Sequence, residues 1–437
     1  MRLNDHIHND DYPTSYYAAT CNDSAGFSKV SGDESFDVCI IGGGFSGVAS
    51  ALHLSERGYK VCLLEQNLIG WGASGRNGGQ VIGGYAYSMW ENKSKIDNFG
   101  EAGTQALWEM SIECVEIIKD WVKKYKIDCD LKFGFIDVAM KQKELDWLEK
   151  SAEMLVEKKY PYEVKMVGKE ELGDYVISDK YVGGRVNHGW GQVHVLNLAI
   201  GEARAAEKLG AKICERAEVT DIIHGPKPRV VTKTGTITAD YVVVTGNGYL
   251  GNLEPKLASR VLPAGSYIIA TEPLSDEQIA ATVPKGYSTC DQRWALDYYR
   301  VTSDKRLLFG GMATYSGRHP KNIQAILEPK MHKVFPSLKG VRIDHAWGGF
   351  MGIGLNRIPM VGRLSDNVYF ATGYGGHGVA PTHMSAKLIS EAIAGQAERY
   401  DILASVKHMP FPGGRHLMQP AYAIGMAYYK MRDALGF

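Results

Sequence analysis

Short, unbroken apolar runs alternate with helical spacing along the chain. Phe36–Ile41 (FDVCII) has no polar alternation after its first residues and predicts a strand buried on both faces. A glycine turn follows. Ser46–Arg57 then has helical periodicity and stops at Gly58, a good C-terminal cap. Lys60–Leu64 (KVCLL) is a second buried strand closed by Glu65, so the stretch reads as one βαβ unit. Ala239–Thr245 (ADYVVVT) runs into Gly246-Asn247-Gly248, and Asn367–Thr372 (NVYFAT) runs into a glycine-rich turn and a helix ending near Gly395. Elsewhere the pattern predicts helices over Gly100–Tyr125, Gln142–Glu157, His194–Leu209 and Asn322–Phe335. Strands are expected to end at Val138–Met140 and to lie around Ile213, Val219–Ile223 and Val230–Val231. Tyr267–Thr271, Leu296–Val301 and Leu307–Gly311 predict a second sheet.

A chain of 437 residues is too long for one core. Its nucleotide-type strands lie near the start, middle and end. The expected class is therefore α/β (α+β), with a Rossmann-type domain from 31–88, 180–262 and 342–437. A sheet-based substrate domain would use 89–179 and 263–341, so both domains are discontinuous. Residues 1–30 form an N-terminal arm, polar and without a signal-type apolar core or twin arginines. Its Tyr12–Tyr17 stretch (YPTSYY) is aromatic for a free tail and is expected to pack back on the body.

Charge excludes some classes. The 49 basic and 49 acidic residues balance and form no basic stripe, which argues against nucleic acid. No run approaches the roughly 18 apolar residues a membrane span needs. The seven cysteines are scattered, with no Cys-x-x-Cys pair. Cys39 and Cys62 fall inside predicted strands as small core residues, the usage of a reducing compartment such as the cytoplasm. No metal site is expected, since His188 and His194 stand in a glycine-rich loop without ligands at useful spacing. No G-x-S-x-G elbow offers a serine nucleophile.

Gly42-Gly43-Gly44-Phe45-Ser46-Gly47 follows a strand and opens a helix, the setting of a dinucleotide fingerprint. Gly42 would make the tight turn, Gly44 would admit the pyrophosphate, and Gly47 would let the helix pack on the sheet. Phe45 and Ser46 then start a helix whose free N–H groups suit phosphate. Glu65, beside Gln66, can accept both ribose hydroxyls and would repel a 2′-phosphate, which favours FAD or NAD over NADP. Gly70–Gln80 (GWGASGRNGGQ) favours FAD. There Ser74 or Arg76 could reach phosphate or ribityl, and the backbone of Gly72, Ala73, Asn77, Gly78, Gly79 and Gln80 could lie against a flat ring. An ordinary long loop is the alternative. The third signal is Gly373-Tyr374-Gly375-Gly376-His377-Gly378 before Val379, again after a strand. No acid-ended strand follows it, so it suits the far end of one flavin better than a second nucleotide. With one nucleotide site, electrons would come straight from the substrate, and the first domain becomes an FAD-binding domain.

Together these motifs resemble the D-amino-acid-oxidase and sarcosine-oxidase superfamily. Further stretches are shared with its bacterial members that act on gamma-glutamylputrescine: Thr14–Ala19, Gly72–Gln80, Asn197–Ala203, Leu296–Arg300, Gly375–Val379 and Phe411–Arg415. The resemblance implies an FAD amine oxidase in a route of putrescine catabolism. It would pass a hydride equivalent from gamma-glutamylputrescine to flavin N5, yielding an aldehyde and ammonia, and H₂O₂ after reoxidation by O₂. Oxidation of a cyclic imino acid or N-methyl amino acid is the alternative, and a flavin subunit without turnover of its own a second one. Relatives with covalent flavin use a His in the glycine-rich segment or a Cys before the last motif. Neither is present, so noncovalent FAD is expected. The stretch that approximately matches the relatives' oxygen-activating Lys, Leu307-Leu308-Phe309, holds no Lys, so dehydrogenase activity stays open.

Strand alternation sends Tyr298 and Arg300 to one face and Tyr299 to the other, making the first two pocket candidates; a surface strand with an ion pair is the alternative. Trp347 and Phe350 could wall an amine or simply pack the core. Tyr374 and His377 sit in the flavin turn as candidate tuning groups, or as structural ones. Arg357, before Pro359, could hold a substrate carboxylate or only a turn. Family topology places the Val219 backbone near the adenine. Oligomeric state is open.

Overall fold

The computed structural model describes residues 11–23, 26–85, 100–293, 296–314 and 319–414, with Met418 and Met431. The expectations for 1–10, 86–99, Arg415 and most of the C-terminal tail lie outside the described residues.

Two sheets organise the chain. In the first, strands run in the order Met360–Ser365, Val368–Thr372, Thr236–Val244, Glu34–Ile41, Val61–Leu64 and Lys212–Cys214. From Val368–Thr372 to Lys212–Cys214 the pairings are parallel. These strands read as apolar runs because both faces are covered. Val38, Ile40 and Val243 join the core beneath the helices Phe45–Glu56, Val195–Lys208 and Val379–Ile393. Cys39, Cys62 and Val242 face a second core shared with the hairpin Val219–Ile223 and Arg229–Thr232. The predicted βαβ unit is present, with Glu34–Ile41 in the centre of the sheet. A ligand crevice opens at the carboxyl ends of such strands.

The second sheet is mostly antiparallel. Its order is Ile343–Ile353, Leu262–Thr271, Leu307–Thr314, Tyr298–Val301, Ser288–Asp291, Lys132–Ala139, Gly183–Gln192 and Gln80–Val81. Alternation divides its side chains between two cores. Ile268, Ala270, Leu308 and Trp347 face the first domain, whereas Ile269, Tyr299 and Phe309 face the helix Gln324–Val334.

Three strands depart from the expected division; the short Gln80–Val81, within 31–88, pairs with Gly183–Gln192 in the second sheet. Gly183–Gln192 and Ile343–Ile353, assigned above to the flavin domain, hydrogen-bond into the second sheet. Both are rich in glycine, which hides strands from propensity. Here glycine is required by close backbone approach: a Cβ on Gly184 would lie 2.6 Å from the Asp137 carbonyl oxygen, and one on Gly191 would collide with the Lys132 carbonyl.

Candidate active site

The fingerprint sits where the sequence places it. Gly42 has a φ of 109°, open to glycine and strained for other residues, and a Cβ there would press on the Thr245 backbone at 3.0 Å. Gly47 faces the Gly42 carbonyl with no room for a side chain. Gly44 starts the helix without a side-chain cap. Ser74 Oγ accepts from the Phe45 N–H at 2.9 Å, tying the second glycine segment to the first helical turn. Glu65 accepts from the Gly43 N–H at 2.6 Å and the Asn67 N–H at 2.8 Å. A carboxylate has about four lone-pair positions, so capacity for a ribose diol remains. Burial and the charge of Glu215 push the Glu65 carboxyl up, and the two backbone N–H groups oppose that. Val219 lies at the start of the hairpin, paired with Thr232 and partly buried.

The Gly72–Gln80 loop folds back on itself. Asn77 donates to the Ala73 and Ser74 carbonyls, and its Oδ1 accepts from the Gly79 N–H. Arg76 is buried among carbonyls. Its Nε donates to Trp71 O at 2.8 Å and Gly72 O at 3.3 Å, its Nη1 donates to Gly348 O, and its guanidinium lies over the Trp71 ring at 4.3 Å. Arg76 Nη2 and Gln80 Nε2 are buried and find no hydrogen-bond partner among the described residues. Unmatched buried donors are costly and call for an acceptor. The phosphate and carbonyl oxygens of FAD are such acceptors, so these residues fit the cofactor. Exchanging Arg76 for Lys removes the planar fork. Arg76→Lys is expected to weaken FAD binding roughly ten- to a hundredfold in a fluorescence titration of the apoprotein.

The third glycine segment closes the site. Gly375 and Gly376 have φ of 65° and 90°, and Gly376 is exposed. His377 hydrogen-bonds the Ile82 carbonyl at 3.1 Å, and burial lowers its pKa, so the ring stays neutral. Tyr374 is buried, its hydroxyl 2.7 Å from Ser46 Oγ and its pKa pushed up to about 12 by burial. It therefore links the two helix starts. Gly246 opens the short helical turn Asn247–Tyr249. Within that turn Asn247 Oδ1 accepts from the Gly373 N–H at 3.1 Å, and Tyr249 Oη accepts from the Phe350 N–H at 2.8 Å.

The second-sheet candidates divide. Tyr298 crosses the glycine loop: a Cβ on Gly78 would lie 2.6 Å from its ring. Its hydroxyl is 3.2 Å from Ser266 Oγ, and burial raises its pKa. Arg300 shares that face, as alternation requires, and is held by the scaffold. Its Nε donates to Gly78 O at 2.8 Å, and its Nη2 to Val193 O and Tyr17 Oη, each at 3.1 Å. The surface ion pair is excluded, since Arg300 is buried. Trp347 donates from Nε1 to Arg76 O at 2.9 Å, and Phe350 is buried against His319 and Tyr249. Arg357 takes a left-handed conformation with φ 58° before the strand Met360–Ser365. Tyr17, Asn247 and Tyr249 were missed as site residues. Only the aromatic arm carried a signal in the sequence.

Three glycine segments beside unmatched buried donors at the carboxyl end of a parallel sheet suit one dinucleotide, and the class they define is the flavoprotein oxidoreductases. Residues 37–392 match the family described as DAO, FAD dependent oxidoreductase, and the chain belongs to that family. It is an FAD-dependent oxidoreductase. It is 43% identical over 428 residues to the gamma-glutamylputrescine oxidoreductase of Escherichia coli K12, covering 98% of this chain and 99% of that one. Probable oxidoreductase OrdL of Haemophilus influenzae is 38% identical, with 96% and 97% covered. Glycine oxidase from Geobacillus kaustophilus superposes with a TM-score of 0.68 at 20% identity, over 83% of this chain and 95% of that one. L-proline dehydrogenase from P. horikoshii does so with 0.69 at 21%, over 83% and 94%. At those identities the structures show a shared fold. Among the described residues no helix is long and apolar enough to cross a membrane.

Proposed function

We propose that the chain oxidises the primary amine of gamma-glutamylputrescine, with O₂ as electron acceptor and FAD held without a covalent bond. The reaction takes amine, O₂ and water to aldehyde, ammonia and H₂O₂. The observation that carries the substrate is the end-to-end identity of 43% with the Escherichia coli enzyme. Bound FAD supplies the two-electron oxidation. The protein supplies uncharged walls: Tyr298, Tyr374 and Trp347, with His377 neutral beside them. Burial disfavours an ammonium, so such walls favour the free amine, whose lone pair assists loss of the α-hydrogen. All seven cysteines are unpaired, which suits a reducing compartment, and we place the enzyme in the cytoplasm.

The test is a reductive half-reaction without air. Purified protein is mixed in turn with gamma-glutamylputrescine, putrescine, pipecolate and sarcosine, and the visible flavin band is followed. Bleaching with gamma-glutamylputrescine alone, then recolouring with H₂O₂ release in air, is expected. Bleaching with an imino or N-methyl acid alone overturns the substrate. Slow recolouring overturns O₂ as acceptor. No bleaching by any of the four overturns the activity.

A further inference from the structure

The N-terminal arm is tied to the back of the glycine-rich loop. Tyr17, fully buried in the short helix Tyr16–Ala19, touches both side chains that hold that loop. Its hydroxyl accepts from Arg300 Nη2 at 3.1 Å, and Arg300 also holds the Gly78 and Val193 carbonyls. Its ring packs edge-on to Trp347 at 5.7 Å, and Trp347 holds the Arg76 carbonyl. The Val193 N–H in turn donates to Gly79 O at 2.9 Å. The arm itself is locked in place. His194 Nδ1 accepts from the Asn197 N–H, so Nε2 carries the proton and meets Thr20 Oγ1 at 3.0 Å. Thr20 Oγ1 in turn donates to Tyr16 O at 2.8 Å. The Tyr17 and His194 rings pack edge-on at 5.0 Å.

We propose that Tyr17 is a positioning residue for the flavin: through Arg300 and Trp347 it fixes the carbonyls of Arg76 and Gly78, and hence the donors of Arg76 and Gln80. It touches no reacting atom. The inference rests on the reading that the Gly72–Gln80 loop faces FAD. Docking of the arm and binding of FAD then favour each other, because each orders the same loop from opposite sides.

The experiment is a fluorescence titration of full-length apoprotein with FAD, alongside thermal unfolding of the apoprotein and the visible spectrum of the loaded form. Tyr17→Phe removes only the hydroxyl. It is expected to weaken FAD binding roughly tenfold, the loss of one hydrogen bond to a charged donor, and to alter the fine structure of the flavin band. The apoprotein melting temperature should fall no further than in Tyr16→Phe, which also loses one tyrosine hydrogen bond. Tyr16→Phe is the control within the arm. It removes a hydrogen bond to Asp304 at 2.8 Å, which binds no residue that holds the loop, and should leave FAD affinity unchanged. Asn77→Ala breaks the turn of the loop itself and should weaken binding whatever the arm does. If Asn77→Ala weakens binding and Tyr17→Phe does not, the arm proposal fails alone. If neither does, the flavin-facing reading of the loop fails with it. Equal losses of FAD affinity in Tyr16→Phe and Tyr17→Phe would reduce the arm to general glue and overturn the proposal.

Discussion

Gly47→Ala is expected to give a colourless protein. The new methyl group would meet the Gly42 carbonyl oxygen head-on, with the Gly42 carbonyl carbon and Thr245 Oγ1 each 3.0 Å away. All belong to backbone or to a side chain already in use, since Thr245 Oγ1 donates to Ile41 O and Gly42 O. Nothing flexible can give way, so the helix Phe45–Glu56 must lift from the strand and displace its N-terminal turn, with the Ser74 contact to the Phe45 N–H. Overpacking of this kind costs about 1–3 kcal/mol, and more where backbone is struck. FAD affinity should fall by more than about a hundredfold, since misplacing the helix start removes several charge-assisted hydrogen bonds together. The check is the ratio of bound flavin to protein after purification. Gly58→Ala, at the other end of the same helix, serves as the comparison. Its φ is 84° but nothing lies within 4 Å of the new methyl, so it should lose about 1 kcal/mol of stability and keep its flavin. Equal flavin content in the two variants would refute the packing account of the fingerprint.

The second large effect is expected far from any reacting atom. Glu202 and His383 are both fully buried and meet at 2.6 Å between Oε1 and Nε2. His383 Nδ1 donates to the Val379 carbonyl at 2.7 Å, and Nε2 meets the Glu202 carboxyl through a single hydrogen bond. Burial pushes the Glu202 carboxyl up, and the imidazole partly restores it. The His383 ring also lies 5.5 Å from the Phe45 ring, at the first turn of the fingerprint helix. Three helices, Phe45–Glu56, Val195–Lys208 and Val379–Ile393, thus meet at one polar contact. Glu202→Ala leaves the imidazole unmatched and opens a void, and should destabilise the protein by about 3–5 kcal/mol in urea unfolding followed by circular dichroism. Glu202→Gln keeps the volume and can donate from its amide to Nε2, so a loss within about 1 kcal/mol is expected. A Gln variant as unstable as the Ala variant would mean that the charge itself is needed.

Most of the nucleotide-binding half was legible in the sequence because its physics is local. The strand-turn-helix of Phe36–Arg57 and the acid at Glu65 need only nearest neighbours to be recognised. Helices such as Gln142–Glu157 were read to the residue because an exposed amphipathic helix repeats one pattern throughout. What escaped is set by long-range contact. Gly183–Gln192 reads as a loop until the backbones and rings around it are known. Arg300 was placed on the right face by alternation, but the partners it meets there were not legible. A buried arginine facing a carboxylate and one facing three oxygens of the scaffold look alike in one dimension. The same holds for Tyr374, whose partner Ser46 lies at the other end of the sequence.

The strand order of the first sheet has a consequence for synthesis on the ribosome. Glu34–Ile41 needs Thr236–Val244 on one side, and that strand needs Val368–Thr372 beyond it. The fingerprint emerges early, but the strand and glycine turn that close its crevice emerge only when most of the chain has been translated. Until then the first strands present open edges and apolar faces. Such long-range parallel pairing closes slowly. The nascent enzyme therefore needs shelter from aggregation for most of its translation, and flavin enters a finished polypeptide, not a growing one.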